Sequence, residues 1–417
     1  MNILRQKIRS VIEHPIARGS AIMFVGSMLS NVVAYGYHLI VGRMLGPEKY
    51  GELASLYSLS YLLNVPGLVV QTVVAKHVAT YAAKNADGKA KSLVVDATKI
   101  LGIASIVIGI GIVPFYSGIA GYLHVKNLWF VVYIVIASIV FFLATVITGA
   151  LQGYKKFTDL MIYSNIGIFL RLAGGVIGAT YGVGATAFAN MISTILSYLL
   201  SFIPLRFFQK VKQVQTGLSL KKVSGYTVPS LLCILGITSL YSTDIILVKH
   251  FFSSFDAGMY AALAMMGKVI FFAGSSVGYV LFPVVAEREA HGTKSHTLVY
   301  MSLIIVAAIS LGLTSGYFLF PNVALQLLFG SSYLAAASYL GLFGLFITFY
   351  SLSNVLTTAL LGLGRTNIWS ILIIASLAQI VGIYAFHASI ISVIYVNVGI
   401  CVTLFIALLL YYRHERI

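Results

Sequence analysis

Two cations, Arg171 and Lys268, fall near the middle of apolar runs in this chain, with no carboxylate at comparable depth along those runs. A charge in hydrocarbon costs roughly 2.5–3.5 kcal/mol on insertion scales and persists mainly where it faces a bundle interior or a watery cavity. Same-sign charges without an acid beside them predict a cavity that receives an anion. Arginine offers a planar fork to phosphate oxygens, lysine a compact point charge. A structural arginine tied to a neighbour's carbonyls is the other reading of Arg171. Ser164, Gly167, Gly175 and Gly178 share its side, so a neighbouring backbone can come close there.

The elements that hold these groups are membrane spans. Hydrophobic residues make up 59% of the 417, charged residues 9%, and the mean hydropathy is +0.96. Apolar runs of about 20 residues recur twelve times. They cover 19–42, 52–75, 93–116, 127–149, 159–180, 184–205, 224–248, 257–286, 297–320, 334–361, 368–387 and 389–411. Runs of this length predict helices, since a barrel would show short alternating segments. The expected class is an all-α polytopic membrane protein with twelve transmembrane helices. The eighth and tenth runs are long enough to require tilt or a kink.

The net charge of +16 is not a nucleic-acid footprint, because 21 of the 27 Lys and Arg residues collect at every second junction. That asymmetry is the positive-inside pattern, and it predicts both termini in the cytoplasm of a cell with this protein in its plasma membrane. Residues 1–13 read as a basic helix on the inner leaflet. The run after Pro15 is too long for the core of a cleavable signal. Cys233 and Cys401 sit inside spans, so neither a disulfide framework nor a metal site is expected. Nucleotide loops, metal-ligand spacings and nucleophile constellations are absent, so neither an enzyme nor a bound cofactor is expected.

Polar stripes accompany the cations. In the first span Ser20, Ser27, Asn31 and His38 fall within about 40° of one another at 100° per residue. The second carries Tyr57, Tyr61, Asn64 and Gln71, interrupted by Pro66; the seventh carries Thr227, Ser230, Thr238 and Tyr241 around Pro229. On the eighth, Lys268 shares a face with Phe272, Ser275, Ser276 and Tyr279. Such stripes turn away from lipid, to line a cavity or to hydrogen-bond between helices. Tyrosines suit a sugar, stacking on a ring face and offering a hydroxyl. Asp244, a few residues inside the outer end of the seventh span, either couples transport to an ion or pairs with Lys249 or an outer-side polar neighbour. Arg43 is expected to pair with Glu48 or Glu52 at the first outer turn, where Gly46 ends one helix and Pro47 opens the next.

The chain echoes itself. VGRMLGPEKYGELASL (41–56) faces LVKHFFSSFDAGMYAAL (247–263), so that Arg43 corresponds to Lys249 and Gly51 to Gly258. ALQGYKK (150–156) likewise matches ALLGLGR (359–365). The basic connection at 206–223 separates six spans from six, which gives an N-terminal lobe at 1–212 and a C-terminal lobe at 213–417. Repeats of this kind build carriers with the site between the halves.

These residues resemble the multidrug/oligosaccharidyl-lipid/polysaccharide (MOP) flippase superfamily, in its Wzx-type oligosaccharide flippase branch. The motif that carries the likeness is Arg43-Met-Leu-Gly46-Pro47-Glu48-Lys49-Tyr50-Gly51, supported by Leu151-Gln152-Gly153-Tyr154-Lys155-Lys156. The resemblance implies two six-helix pseudo-repeat lobes around a central cavity, lined by the first, second, seventh and eighth helices. It implies flipping of a polyprenyl-pyrophosphate oligosaccharide for surface polysaccharide biosynthesis. Partners would be the lipid-linked glycan, membrane lipids and a polysaccharide polymerase or glycosyltransferases. Lys268 and Arg171 would then meet the phosphates, the stripes would line the path, and Arg43, Glu48 and Lys249 would form an outer gate or turn. The alternative within the superfamily is a cation-coupled multidrug or metabolite antiporter, which should offer a midplane carboxylate.

Overall fold

The computed structural model describes residues 15–125, 127–214, 220–290 and 293–414, without the side chains at 15–24, 209, 220–227, 275, 276, 279, 280, 283, 286, 287 and 290. The expected basic helix at 1–13 and the side chains of Ser20, Thr227, Ser275, Ser276 and Tyr279 therefore lie outside the description. Among the described residues there is no strand. The helices are α1 (Pro15–Ala83), α2 (Asp87–Ile112), α3 (Tyr116–Tyr122), α4 (Leu128–Gly153), α5 (Phe157–Tyr181), α6 (Val183–Leu200) and α7 (Leu220–Ser239). They continue with α8 (Thr243–Phe251), α9 (Ser254–Ala290), α10 (His296–Leu319), α11 (Pro321–Leu328), α12 (Ala337–Gly362), α13 (Trp369–Ala385) and α14 (Ile390–His414).

Ten helical stretches are long and apolar enough to cross a membrane, and the pair 228–239 and 243–251, bent by 43°, makes an eleventh crossing. The first stretch, Val25–Ala83, has 59 residues. At 1.5 Å per residue it would be about 90 Å long, against a hydrocarbon core of roughly 30 Å. It is broken at Gly46, whose backbone (φ 71, ψ 173) is not helical, and so makes two crossings. Twelve crossings are thus present among the described residues, and the protein is an all-α, multi-pass membrane protein. The break falls where the Gly46-Pro47 pair predicts it, in a region of φ/ψ open almost only to glycine.

The residues group into two compact units. One comprises Met1–Tyr37, Pro66–Tyr116 and Val132–Leu220; the other comprises His38–Val65, Ser117–Val131 and Lys221–Ile417. These groupings are not contiguous halves: segments 38–65 and 117–131 belong with the C-terminal part of the chain. The repeat boundary at 212/213 remains an expectation about ancestry and pseudo-symmetry.

In the first unit, glycines set the helix spacing. A Cβ at Gly149 would stand 2.6 Å from the Gln71 carbonyl oxygen, and one at Gly153 would stand 2.7 Å from that of Ala75. The 150–156 motif follows from this packing. Tyr154 donates to Asp87 Oδ1 (2.8 Å), Lys155 takes a left-handed turn (φ 56), and Lys156 donates to the Pro204 carbonyl (3.1 Å). Burial and the Asp87 carboxylate both push the Tyr154 hydroxyl pKa upwards. Behind it, Val78, Leu93, Val146, Ala150 and Phe208 make a buried apolar core. Helices α5 and α6 form a hairpin through Gly182 (φ 110), where a Cβ at Gly178 would meet the Ala185 carbonyl at 2.7 Å.

In the second unit, α9 packs on α10 and α12, and α12 packs on α14. Hydroxyls tie these helices internally: Tyr317 donates to the Met266 carbonyl (2.9 Å), and Thr314 and Thr348 share a hydrogen bond of 2.9 Å. The repeat-matched glycines, Gly51 and Gly258, lie against each other, with Gly258 N 2.6 Å from where a Gly51 Cβ would stand.

Candidate functional site

Lys268 sits fourteen residues into α9 and is half-buried. Its Nζ lies 4.6 Å from the centroid of the Tyr61 ring, a cation–π contact. It makes no hydrogen bond or direct ion pair to a described residue. Beside it is a cavity of about 200 Å³ lined by Tyr61, Tyr241, Asp244, Phe271 and Tyr350 among others. That space equals the liquid-phase share of roughly seven waters. The Tyr241 ring stands 6.4 Å from Tyr61 and 5.5 Å from Tyr350, so aromatic faces make most of the wall. All of these residues belong to the second compact unit.

Asp244 changes the charge picture drawn from the sequence. It is 1% exposed, lines the same cavity, and has Lys268 as the cation acting on it. Of the expected partners, a polar neighbour and not Lys249 pairs with it: Asp244 accepts from Tyr260 Oη (2.7 Å) and from the Ile245 amide (2.8 Å). Lys249, itself buried, donates to Ser254 Oγ (2.9 Å). The expectation of cations without an acid nearby is therefore corrected for Lys268. The cause is the 43° bend between α7 and α8, where a depth counted along one straight helix no longer holds.

Behind Asp244 runs a buried chain of hydrogen bonds. Asn397 Nδ2 donates to Tyr260 Oη (2.7 Å), and Gln379 Nε2 donates to Asn397 Oδ1 (2.9 Å) and to the Leu240 carbonyl (2.8 Å). It fastens α8, α9, α13, α14 and the turn after α7 around one carboxyl group. Sequence reasoning missed Tyr260, Gln379 and Asn397. The signal was present, because a lone amide in the middle of an apolar span must find a partner in the bundle.

Arg171 belongs to the first unit, where its guanidinium lies 4.8 Å from the centroid of the Tyr37 ring. It lines a different cavity, of about 370 Å³, between α4, α5 and α6.

The family model described as "Polysaccharide biosynthesis protein" matches residues 40–338. The chain belongs to that family. No curated protein matches it. Among solved structures it shares its fold with an inward-facing multidrug resistance MATE family transporter of the MOP superfamily, at a TM-score of 0.77 and 14% identity over 92% of this chain and 93% of that one. It is similar too to the lipid II flippase MurJ in an inward closed conformation: TM-score 0.73, 13% identity, 94% of this chain and 87% of that one. An outward-facing MATE family transporter matches at 0.66 with 17% identity, over 96% and 95%. The MOP superfamily named by the resemblance is thus borne out, and the fold is that of its transporters.

The other expected site residues of this polysaccharide biosynthesis family member are more scattered. Tyr61, Tyr241, Asp244 and Lys268 come together. His38 and Tyr57 are buried beside the cavity helices, His38 Nδ1 lying 3.3 Å from Tyr50 Oη and its ring edge-on to Tyr57. Asn64 bonds Ser60 (3.3 Å), Thr238 is buried, and Gln71 donates to Gln152 Oε1 (3.3 Å) in the first unit. Ser27 and Asn31 are half-buried in that unit as well. Arg43 pairs with neither Glu48 nor Glu52. It donates through Nε to the Leu328 carbonyl (2.9 Å) and through Nη2 to that of Leu327, the last residues of α11. A cation there meets carbonyls left without intrahelical partners and the negative end of the helix dipole. Glu48 is exposed near the start of the second arm of α1. Among the described residues, no group of three or more His, Cys, Asp or Glu side chains is placed to hold a metal ion.

Proposed function

We propose that the protein flips a polyprenyl-pyrophosphate-linked oligosaccharide across the cytoplasmic membrane by alternating access, in surface polysaccharide biosynthesis, and that it performs no covalent chemistry. The observation that supports this most is a membrane-embedded ammonium, Lys268, held by the face of Tyr61 in a cavity walled by tyrosines and phenylalanines and large enough for a phosphate. A cation–π contact is worth about 0.5–2 kcal/mol, less than a charge-assisted bond to phosphate, so the lysine can exchange one for the other. Tyr61 and Tyr241 then offer ring faces and hydroxyls to the sugar next to the phosphate, while the polyprenyl tail stays in lipid. The plasma membrane setting, cytoplasmic termini, 1–212 and 213–417 lobes and association with a polymerase or glycosyltransferases belong to the same reading.

Asp244 supplies a means of coupling. While the carboxylate is charged, it competes with the phosphate for Lys268. A proton or metal cation arriving at Asp244 removes that competition and favours the loaded state. The same carboxyl group favours a second reading, cation-coupled antiport of a cationic compound, because such a carrier needs an acid at this depth.

Competition separates the two. Polyprenyl-pyrophosphate glycan should displace a fluorescent pyrophosphate lipid from purified protein, and cationic dyes should not. Displacement by dyes alone would replace flipping with antiport.

A further inference from the structure

The cavity beside Arg171 has chemistry of its own. It lies between α4, α5 and α6, holds about 370 Å³, and is mainly apolar, with a row of serine and threonine hydroxyls along α6 and its end. Those hydroxyls have committed their protons. Ser193 donates to the Ala189 carbonyl (2.7 Å), Thr194 to Asn190 (2.8 Å), Ser197 to Ser193 (2.7 Å) and Ser201 to Tyr198 (2.6 Å). Each bond follows the helix's own backbone and leaves the hydroxyl oxygen with lone pairs only. This row of serine and threonine hydroxyls on α6 and its end therefore accepts hydrogen bonds and gives none. The donors are Arg171 on α5 and, on α6 itself, Asn190, 8% exposed, whose side chain makes no hydrogen bond to another described residue. Tyr163 and Tyr198 add ring faces.

A ligand matched to this lining brings its own O–H donors to the serine wall and an anionic group to the guanidinium. An apolar compound would strand the amide of Asn190, and an amine would meet Arg171 with like charge. Water alone would satisfy the wall, but the volume exceeds what isolated structural waters need: it corresponds to the liquid-phase share of roughly a dozen. It falls at the lower end of small-molecule sites, about 300–1,000 Å³. We propose that this cavity is a binding site for a phosphorylated polyol, with Arg171 on the phosphate and Asn190 and the α6 serines on the hydroxyls. Two sources share that chemistry: the phosphate-proximal sugar of a lipid-linked glycan, and the glycerol phosphate headgroup of a phospholipid. The proposal deepens the reading of Arg171 as a phosphate contact. It rests on flipping only for which phosphopolyol arrives, not for whether one binds.

The test uses full-length protein in nanodiscs of phosphatidylcholine alone, with glucose 1-phosphate and phosphatidylglycerol as separate probes and native mass spectrometry as the readout. Arg171→Gln and Asn190→Leu should each weaken binding of one or both probes at least tenfold, and the exposed control Lys89→Gln should not. Loss confined to glucose 1-phosphate would assign the cavity to glycan, and loss confined to phosphatidylglycerol would assign it to lipid. Ser193→Ala with Ser197→Ala keeps the helix packing and should give a smaller loss, which guards against misfolding of the larger changes. Binding of both probes unchanged in Asn190→Leu and in the double serine variant would overturn the proposal. Probe binding is read independently of transport. Intact binding in those variants removes the site whether or not they flip glycan, and lost binding retains it even if the wild-type protein flips nothing.

Discussion

At the residue scale, the central juxtaposition is one ammonium and one carboxyl group lining the same small aromatic cavity. Lys268, Tyr61 and Tyr241 were legible in the sequence, because a charge in an apolar run and polar residues at helical spacing both demand an interior; Tyr350 was not. Asp244 was visible as a residue, but not as the partner, since the bend after Ser239 resets the depth of everything that follows. The acceptors for Arg43 were illegible for another reason: backbone carbonyls at a helix end have no residue type. Replacing Asp244 with Asn keeps its shape and removes its charge. Flipping by Asp244→Asn should persist and become insensitive to an imposed proton or sodium gradient; unchanged gradient dependence would remove Asp244 from the coupling. Tyr154→Phe removes the bond to Asp87 and should cost about 0.5–1.5 kcal/mol of stability near neutral pH. Because the folded-state pKa of Tyr154 is raised, that advantage is present below the ordinary tyrosine pKa of roughly 10 and fades at higher pH, as the hydroxyl ionises. Thermal melts of both proteins in detergent across that range provide the check.

At the element scale, glycines decide where helices break and how closely they pass. Gly46 was readable as a helix end from the Gly-Pro pair, and its backbone confirms it. Gly46→Ala would force a side chain into a conformation costing about 1–3 kcal/mol. It should lower the melting temperature without altering the number of crossings. The Gly51–Gly258 contact was half-readable: the repeat aligns the two residues, yet alignment alone does not say that they touch. Gly178→Leu, by contrast, drives a branched side chain into the Ala185 and Thr186 backbone, which cannot yield as a side chain can. The α5–α6 hairpin should then splay, with loss of monodisperse protein on size-exclusion chromatography. A well-behaved Gly178→Leu protein would show that the hairpin tolerates wider spacing.

At the scale of the molecule, twelve crossings and the family membership agree with the hydropathy of the chain, because the bilayer dictates span length whatever the packing inside. The grouping of residues 38–65 and 117–131 with the C-terminal part was not legible, since burial between distant spans leaves no local periodicity. The orientation proposed from the charge asymmetry is checked by labelling single cysteines introduced at Lys84 and at Ser253: the first should react from the cytoplasm and the second from outside. The account as a whole stands on Lys268 as the group that takes the phosphate. Its most direct measurement is flipping of a fluorescent polyprenyl-pyrophosphate glycan in proteoliposomes by wild type, Lys268→Arg and Lys268→Glu, all matched for insertion. A cation retained as arginine should preserve much of the rate, and glutamate should reduce it at least tenfold. Wild-type flipping by the glutamate variant would contradict the account.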